Sequence, residues 1–175
     1  RQVDIIKHFG RLADLVCVAQ PDRDRNLGAN TLKGALFNTG RPVLMCPHRE
    51  TVPETFADHV VIAWNGSLEA TRAVAQTMAL IKAAKSVRIV TVGGEEVHGA
   101  SSAELRDYFA MHGVTSTVDR LDSGQRIGDA LLEASASDEL MIMGAYGESH
   151  EKETLFGGNT QTIVDRAKTP VVLVH

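Results

Sequence analysis

From His59 to the carboxy terminus, short apolar runs alternate with helical patterns, and this alternation constrains the fold more than any other feature. His59–Trp64, Val87–Val92, Leu140–Met143 and Pro170–Val174 are nearly continuous apolar segments, the pattern of strands buried on both faces. Thr115–Leu121 is a weaker, alternating candidate. Residues 68–85 between them carry Ala73, Met78, Ile81 and Ala84 at apolar positions of a helix, with the Ser67 hydroxyl placed to cap it. Residues 101–112 give a shorter helix capped by Ser101 or Ser102, residues 125–136 a third, and residues 159–168 a fourth that Pro170 ends. The order β-α-β-α-β-α-β-α-β predicts right-handed crossovers and an α/β fold: a five-stranded parallel open sheet with helices on both faces. Ligands of such sheets sit beyond the carboxyl ends of the strands, near the point where strand order reverses. That rule singles out Trp64–Ser67, Val92–Gly94 and Gly144–Gly147 before any motif is considered.

The part before His59 reads helix, strand, helix, strand. Residues 2–12 place Val3, Ile5, Ile6, Phe9 and Leu12 at helical spacing, and Leu15–Ala19 and Pro42–Cys46 have strand composition. The two ends of the chain resemble each other: ADLVCVA at 13–19 echoes DELMIMG at 138–144, and NTLKGALFNTGRPVLMC at 30–46 echoes NTQTIVDRAKTPVVLV at 159–174. The expected organisation is a partial, degenerate copy over 1–46, a linker with two prolines over 47–58, and a complete domain over 59–175. The chain opens inside a helical pattern without an initiator Met, so a further amino-terminal part is expected in the parent protein.

The totals narrow the function classes. A net charge of −4 with 5% aromatic residues gives neither the basic footprint nor the stacking platforms of nucleic-acid binding. No apolar run approaches the ~20 residues that span a bilayer, and no segment reads as a signal peptide. Cys17 and Cys46 are expected to be small buried hydrophobes in a reducing compartment, which makes the cytoplasm the expected location.

Chemistry concentrates in GAYGESHEKETLFGGNT, residues 144–160, between a buried strand and a helix. Glycine lets backbone N–H groups approach an anion where a Cβ would clash, and the free N–H groups at a helix start favour phosphate. Asn159 adds an amide and Thr160 a hydroxyl. The segment is neither a Walker A loop nor a GxGxxG fingerprint. Read as a pattern alone, it is also compatible with a plain strand-to-helix turn.

The spacing Gly144-x2-Gly147-x9-Gly157, before a helix and a terminal PVVLV strand, resembles the universal stress protein family. HVVIAWNGSLEATRA at 59–73 is similar to that family's first strand and helix opening, and residues 13–46 resemble the last two strands of a second such domain. The resemblance implies a Rossmann-like fold of the adenine-nucleotide alpha-hydrolase type in a tandem-domain protein. In ATP-binding members the position of Asn65 contacts the nucleotide, backbone at Val92 recognises adenine, and Ala63 borders the base. The resemblance also assigns Met143, Gly144 and Gly147 to the ribose and phosphates, and Gly157, Gly158, Asn159 and Thr160 to the phosphates. Two departures stand out. Asn65 replaces the usual Asp, removing a charge that helps hold a metal, and Gly158 stands where Ser or Thr is typical. At the matching places the amino-terminal copy has Ala19, Asp22, Ala29 and Asn30, so no nucleotide is expected there.

Other candidates are weaker. His150 is a lone loop histidine, Lys152 faces the opposing acids Glu148, Glu151 and Glu153, and the histidines lack metal-ligand spacing. Glu95–Glu96 and Asp119–Asp122 read as surface, and Trp64 packs against either a ligand or a neighbouring domain. The expected function is a stress-response protein binding ATP, ADP or AMP, with or without Mg²⁺, as a regulatory ligand and with slow hydrolysis at most. The alternative is a ligand-free dimerisation or partner-binding module, in which Pro42–Cys46 pairs with Pro170–Val174 or with a second chain.

Overall fold

The computed structural model describes residues 2–48, 54–93, 99–122, 124–135, 139–147 and 158–175. α1 (Gln2–Gly10), β1 (Val16–Ala19), α2 (Ala29–Asn38) and β2 (Val43–Cys46) form the first part. β3 (His59–Ala63), α3 (Leu68–Ala83), β4 (Ser86–Val92), α4 (Ser102–Met111) and β5 (Ser116–Leu121) follow. α5 (Ile127–Ala134), β6 (Leu140–Gly144), α6 (Gly158–Arg166) and β7 (Val171–Val174) complete the order.

The expected five-stranded sheet is part of a larger one. Among the described residues seven strands join in the order β1-β2-β7-β6-β3-β4-β5. The extension has a plain cause: the outer edge of β7 presents unpaired backbone groups, and β2 satisfies them by antiparallel pairing. The other pairings are parallel. Of the two pairings left open for Pro42–Cys46, the one within the chain is formed.

The registers carry a symmetry. Val43, Leu44 and Met45 face Leu173, Val172 and Val171. On either side, β1 meets β2 as Val16↔Val43 and Cys17↔Leu44, and β6 meets β7 as Met141↔Val171 and Ile142↔Val172. The units β1-α2-β2 and β6-α6-β7 therefore meet about an approximate two-fold axis through Leu44 and Val172.

Apolar side chains from both faces of the sheet build two cores. Ala70, Val74 and Ile81 of α3 and Leu105 and Phe109 of α4 pack on one face. Leu36 of α2, Leu131 of α5 and Ile163 and Val164 of α6 pack on the other. Ile81 and Phe109 are fully buried, and each contributes roughly 1.5–3 kcal/mol of transfer free energy. The Ser67 hydroxyl caps α3 by accepting from the Ala70 N–H at 3.2 Å. Of the two candidates for α4, Ser101 is the cap, in a reciprocal pair with Glu104. Gln20, buried beyond β1, donates to the carbonyls of Val164 at 2.9 Å and Ala167 at 3.2 Å. It thus satisfies the carboxyl end of α6, and the first part of the chain secures the last helix.

The cysteine expectation fails for Cys17, which is exposed, while Cys46 is half-buried. Val16 and Val18 turn toward the α2 side, so alternation turns Cys17 to the opposite face of an edge strand. Burial, then the nearby Cys17, pushes the Cys46 thiol up from its ordinary value.

Candidate functional site

The crossovers run from β3 outward through β4 to β5, and then return to β6 on the other side of β3. Strand order reverses between β3 and β6, so the loops after these two strands flank the crevice where such sheets take ligands. Ala63 and Met143 face each other in register at this point. Val92 ends β4, and all three contribute to the core on the α5 and α6 side. Nine of the ten expected site residues fall on these strand ends, on the turns that follow them, or on the first turn of α6. Gly157 lies outside the described residues, as do His150, Lys152, Glu148, Glu151, Glu153 and Glu95–Glu96.

The turn after β3 is fixed by its own side chains. The Asn65 Oδ1 accepts from the Ser67 N–H at 3.1 Å, which leaves the amide NH₂ for another partner. Gly66 has φ +72°, and a Cβ there would stand 3.0 Å from the Gly99 nitrogen. Trp64 is 6% exposed and donates from Nε1 to the Ala100 carbonyl at 2.8 Å. Trp64 is thus a core residue that ties the turn after β3 to the start of α4, which resolves the sequence ambiguity by a third route.

The turn after β6 holds the glycines. A Cβ on Gly144 would stand 2.5 Å from the Ala70 nitrogen and 2.6 Å from the Glu69 carbonyl carbon. Close packing of β6 on the start of α3 therefore requires glycine there, quite apart from any ligand. Tyr146 adopts φ +54°, and its N–H donates to the Thr160 hydroxyl at 3.3 Å, which seats the turn on the first turn of α6. Gly147 is exposed, and a Cβ on it would meet the Glu69 Oε2 at 2.7 Å. A Cβ on Gly158 would meet nothing within 4 Å, so packing does not impose this glycine. Gly158 and Asn159 are exposed, and Thr160 is buried. The first N–H groups of α6 have no partner within the helix, and its dipole favours an anion beside them.

Burial, with a smaller contribution from Asp165, pushes the Tyr146 phenol up to about 12. Asp165 in turn pairs with Arg23 at 2.6 Å. Asp119, one of the paired carboxylates considered from sequence, bonds Arg88 at 3.0 Å on the part-buried sheet edge and is structural. Among the described residues no group of three His, Cys, Asp or Glu side chains is arranged to hold a metal. An open cleft of about 500 Å³ lies alongside, lined by Leu121, Asp122, Gly124, Gln125, Ala130 and Glu133, and none of the expected site residues borders it.

Glu69 is absent from the sequence-based set. The residue is 9% exposed in the first turn of α3, and its carboxylate lies against Gly147. The available signal was its place two residues after Ser67, on the helix that opens from the crevice. A first-turn acid, however, reads as an ordinary complement to the helix dipole.

No protein-family model matches the sequence, and no curated protein matches it. Solved structures do resemble the fold. A universal stress protein from Archaeoglobus fulgidus superposes with a TM-score of 0.73 at 20% identity, over 99% of this chain and 66% of that one. A Pseudomonas aeruginosa protein described as a universal stress protein gives 0.64 at 14% identity, over 99% and 68%. The chain spans about two thirds of the length of these proteins. Identity this low speaks for fold alone: the chain has the fold of the universal stress proteins.

Proposed function

We propose that this chain binds ATP, or ADP or AMP, as the regulatory ligand of a cytoplasmic stress-response protein, with slow hydrolysis at most. The observation that carries the reading is the convergence at the β3/β6 crevice. Ala63, Val92 and Met143 end their strands and pack toward the α5 and α6 side of the sheet, and Gly147 and the first turn of α6 with Gly158, Asn159 and Thr160 follow β6 in the chain. Apolar strand ends suit a base, and a helix start suits phosphates. The open space at Gly158 leaves room for an anion. Asn65 offers its amide NH₂. Residues 1–46 read as the carboxy-terminal part of a degenerate second domain, supported by the matching registers of the β1-α2-β2 and β6-α6-β7 units.

Equilibrium titration with ATP and Mg²⁺ tests this. Saturable binding is expected, lost in Gly147→Asp without loss of fold; no binding at millimolar nucleotide sinks the reading. The competing reading, a ligand-free module for dimerisation or a protein partner, draws support from the exposed Ile5, Phe9 and Leu12 around α1 and from the edge strand β1. It predicts that Gly147→Asp leaves function in cells intact.

A further inference from the structure

We propose that Phe37 of α2 is a positioning residue for the nucleotide site: its ring holds Tyr146 in a left-handed backbone conformation and thereby sets the affinity of the loop that carries Gly147. The inference rests on the nucleotide reading above and adds a control of that site from the first part of the chain. Tyr146 directly follows Ala145, whose N–H donates to the Val174 carbonyl at 2.8 Å at the end of the β6–β7 ladder. At φ +54° Tyr146 stands in a region that an L side chain occupies only at a cost in free energy, and a bulky residue stays there only where its surroundings over-determine it. Three contacts do so. Its own N–H donates to the Thr160 hydroxyl at 3.3 Å, and His175 Nδ1 donates to the Ala145 carbonyl at 3.2 Å. The Phe37 ring lies against the Tyr146 ring, with centroids 5.4 Å apart at 43°, and against the His175 ring at 4.7 Å and 71°. Both separations fall in the range where ring pairs attract.

The core does not require this ring. Leu32, Ala35 and Leu36 turn α2 inward, whereas Phe37 is 40% exposed and spends its ring on Tyr146 and His175. Of these three rings it alone comes from the first part of the chain. Without it Tyr146 is free to relax to negative φ, which redirects the backbone at the next residue, Gly147. A loop fixed before its ligand arrives binds more tightly, because no ordering cost falls on the binding step. The first part of the chain thus acts on the site through one aromatic contact.

The test is a double-mutant cycle, read by ATP titration and by the amide spectrum without nucleotide. Phe37→Ala is expected to shift the Tyr146 and Gly147 amide resonances and to speed hydrogen exchange of the Tyr146 N–H. It is also expected to weaken ATP binding about fivefold or more, within the usual range of coupling between sites. Phe37→Tyr keeps the ring and is expected to keep the affinity. Tyr146→Asn removes the second ring but suits the left-handed region, so adding Phe37→Ala to it is expected to change affinity by less than about twofold. Unchanged Tyr146 and Gly147 resonances in Phe37→Ala overturn the proposal, as does unchanged ATP affinity or an equal loss of affinity in the Tyr146→Asn background. Should Phe37→Ala fail to fold, Phe37→Leu, which keeps apolar bulk without a ring, takes its place. A wild type that binds no ATP overturns the nucleotide reading, and with it the affinity half of the proposal; the amide spectrum of Phe37→Ala then decides the loop half alone.

Discussion

Residues 20–28 connect β1 to α2, and residues 145–157 connect β6 to α6, in two units that meet in register about Leu44 and Val172. In the first loop Asp22 and Leu27 exchange backbone hydrogen bonds at 3.0 and 2.9 Å, and the Asp22 Oδ1 accepts from the Arg25 N–H at 3.0 Å. Gln20 and Arg23 reach across to α6, one to its last carbonyls and the other to Asp165. In the second loop Gly147 is exposed, and the helix that follows opens on Gly158 with space around it. The same strand–helix–strand framework thus supports two uses. Where the loop's polar groups are spent on its own turn and on a neighbouring helix, it fastens; the proposed function gives the second loop to an anion. Both loops lead into a helix start, and each has a carboxylate beside it: Asp22 in the first, and Glu69 against Gly147 in the second.

The difference can be broken from either side. The largest effect is expected for Gly144→Ala, whose new methyl group faces α3 backbone that cannot retreat. Denaturant unfolding should show a loss of about 3 kcal/mol. The mirror change, Ala19→Gly at the matching place in β1, should cost only about 0.5–1 kcal/mol. Gln20→Ala strips the bonds to the carbonyls of Val164 in α6 and of Ala167 just beyond it, and should cost about 2 kcal/mol in the same measurement, with ATP affinity unchanged. Asp22→Ala removes the side-chain bond that closes the first turn and should cost about 1 kcal/mol, again without effect on nucleotide. The smallest effect concerns pH. The Tyr146 phenol is raised from 10.0 to about 12, so it favours the folded state fully below pH 10, and that contribution is lost as pH climbs from 10 toward 12. Tyr146→Phe should flatten the alkaline fall of stability in that window, as followed by thermal unfolding.

Much of the framework was legible because buried parallel strands must be apolar throughout. Val87–Val92 and Leu140–Met143 announced β4 and β6 to within a residue, and Ser67 announced its cap. The joining of β2 to β7 was not legible beyond two alternatives, since an edge strand's composition does not say which edge it meets. Trp64 at a strand end looked available to a ligand; only the position of Ala100, 36 residues on, shows its indole N–H to be spent inside the fold. Gly144 and Gly147 look alike in sequence. Three-dimensional packing separates them, because α3 backbone stands over the first and a side chain over the second. Glu69 escaped notice for the same reason: its burial against Gly147 depends on how α3 sits on β6, which no local pattern encodes.

The most direct measurement of the central claim is an amide NMR titration of the whole chain with ATP and Mg²⁺. Binding at the second loop predicts saturable shifts at Gly144, Gly147 and Gly158–Thr160, and none from Gln20 to Gly28. Shifts confined to the first loop, or none at millimolar ATP, would contradict it.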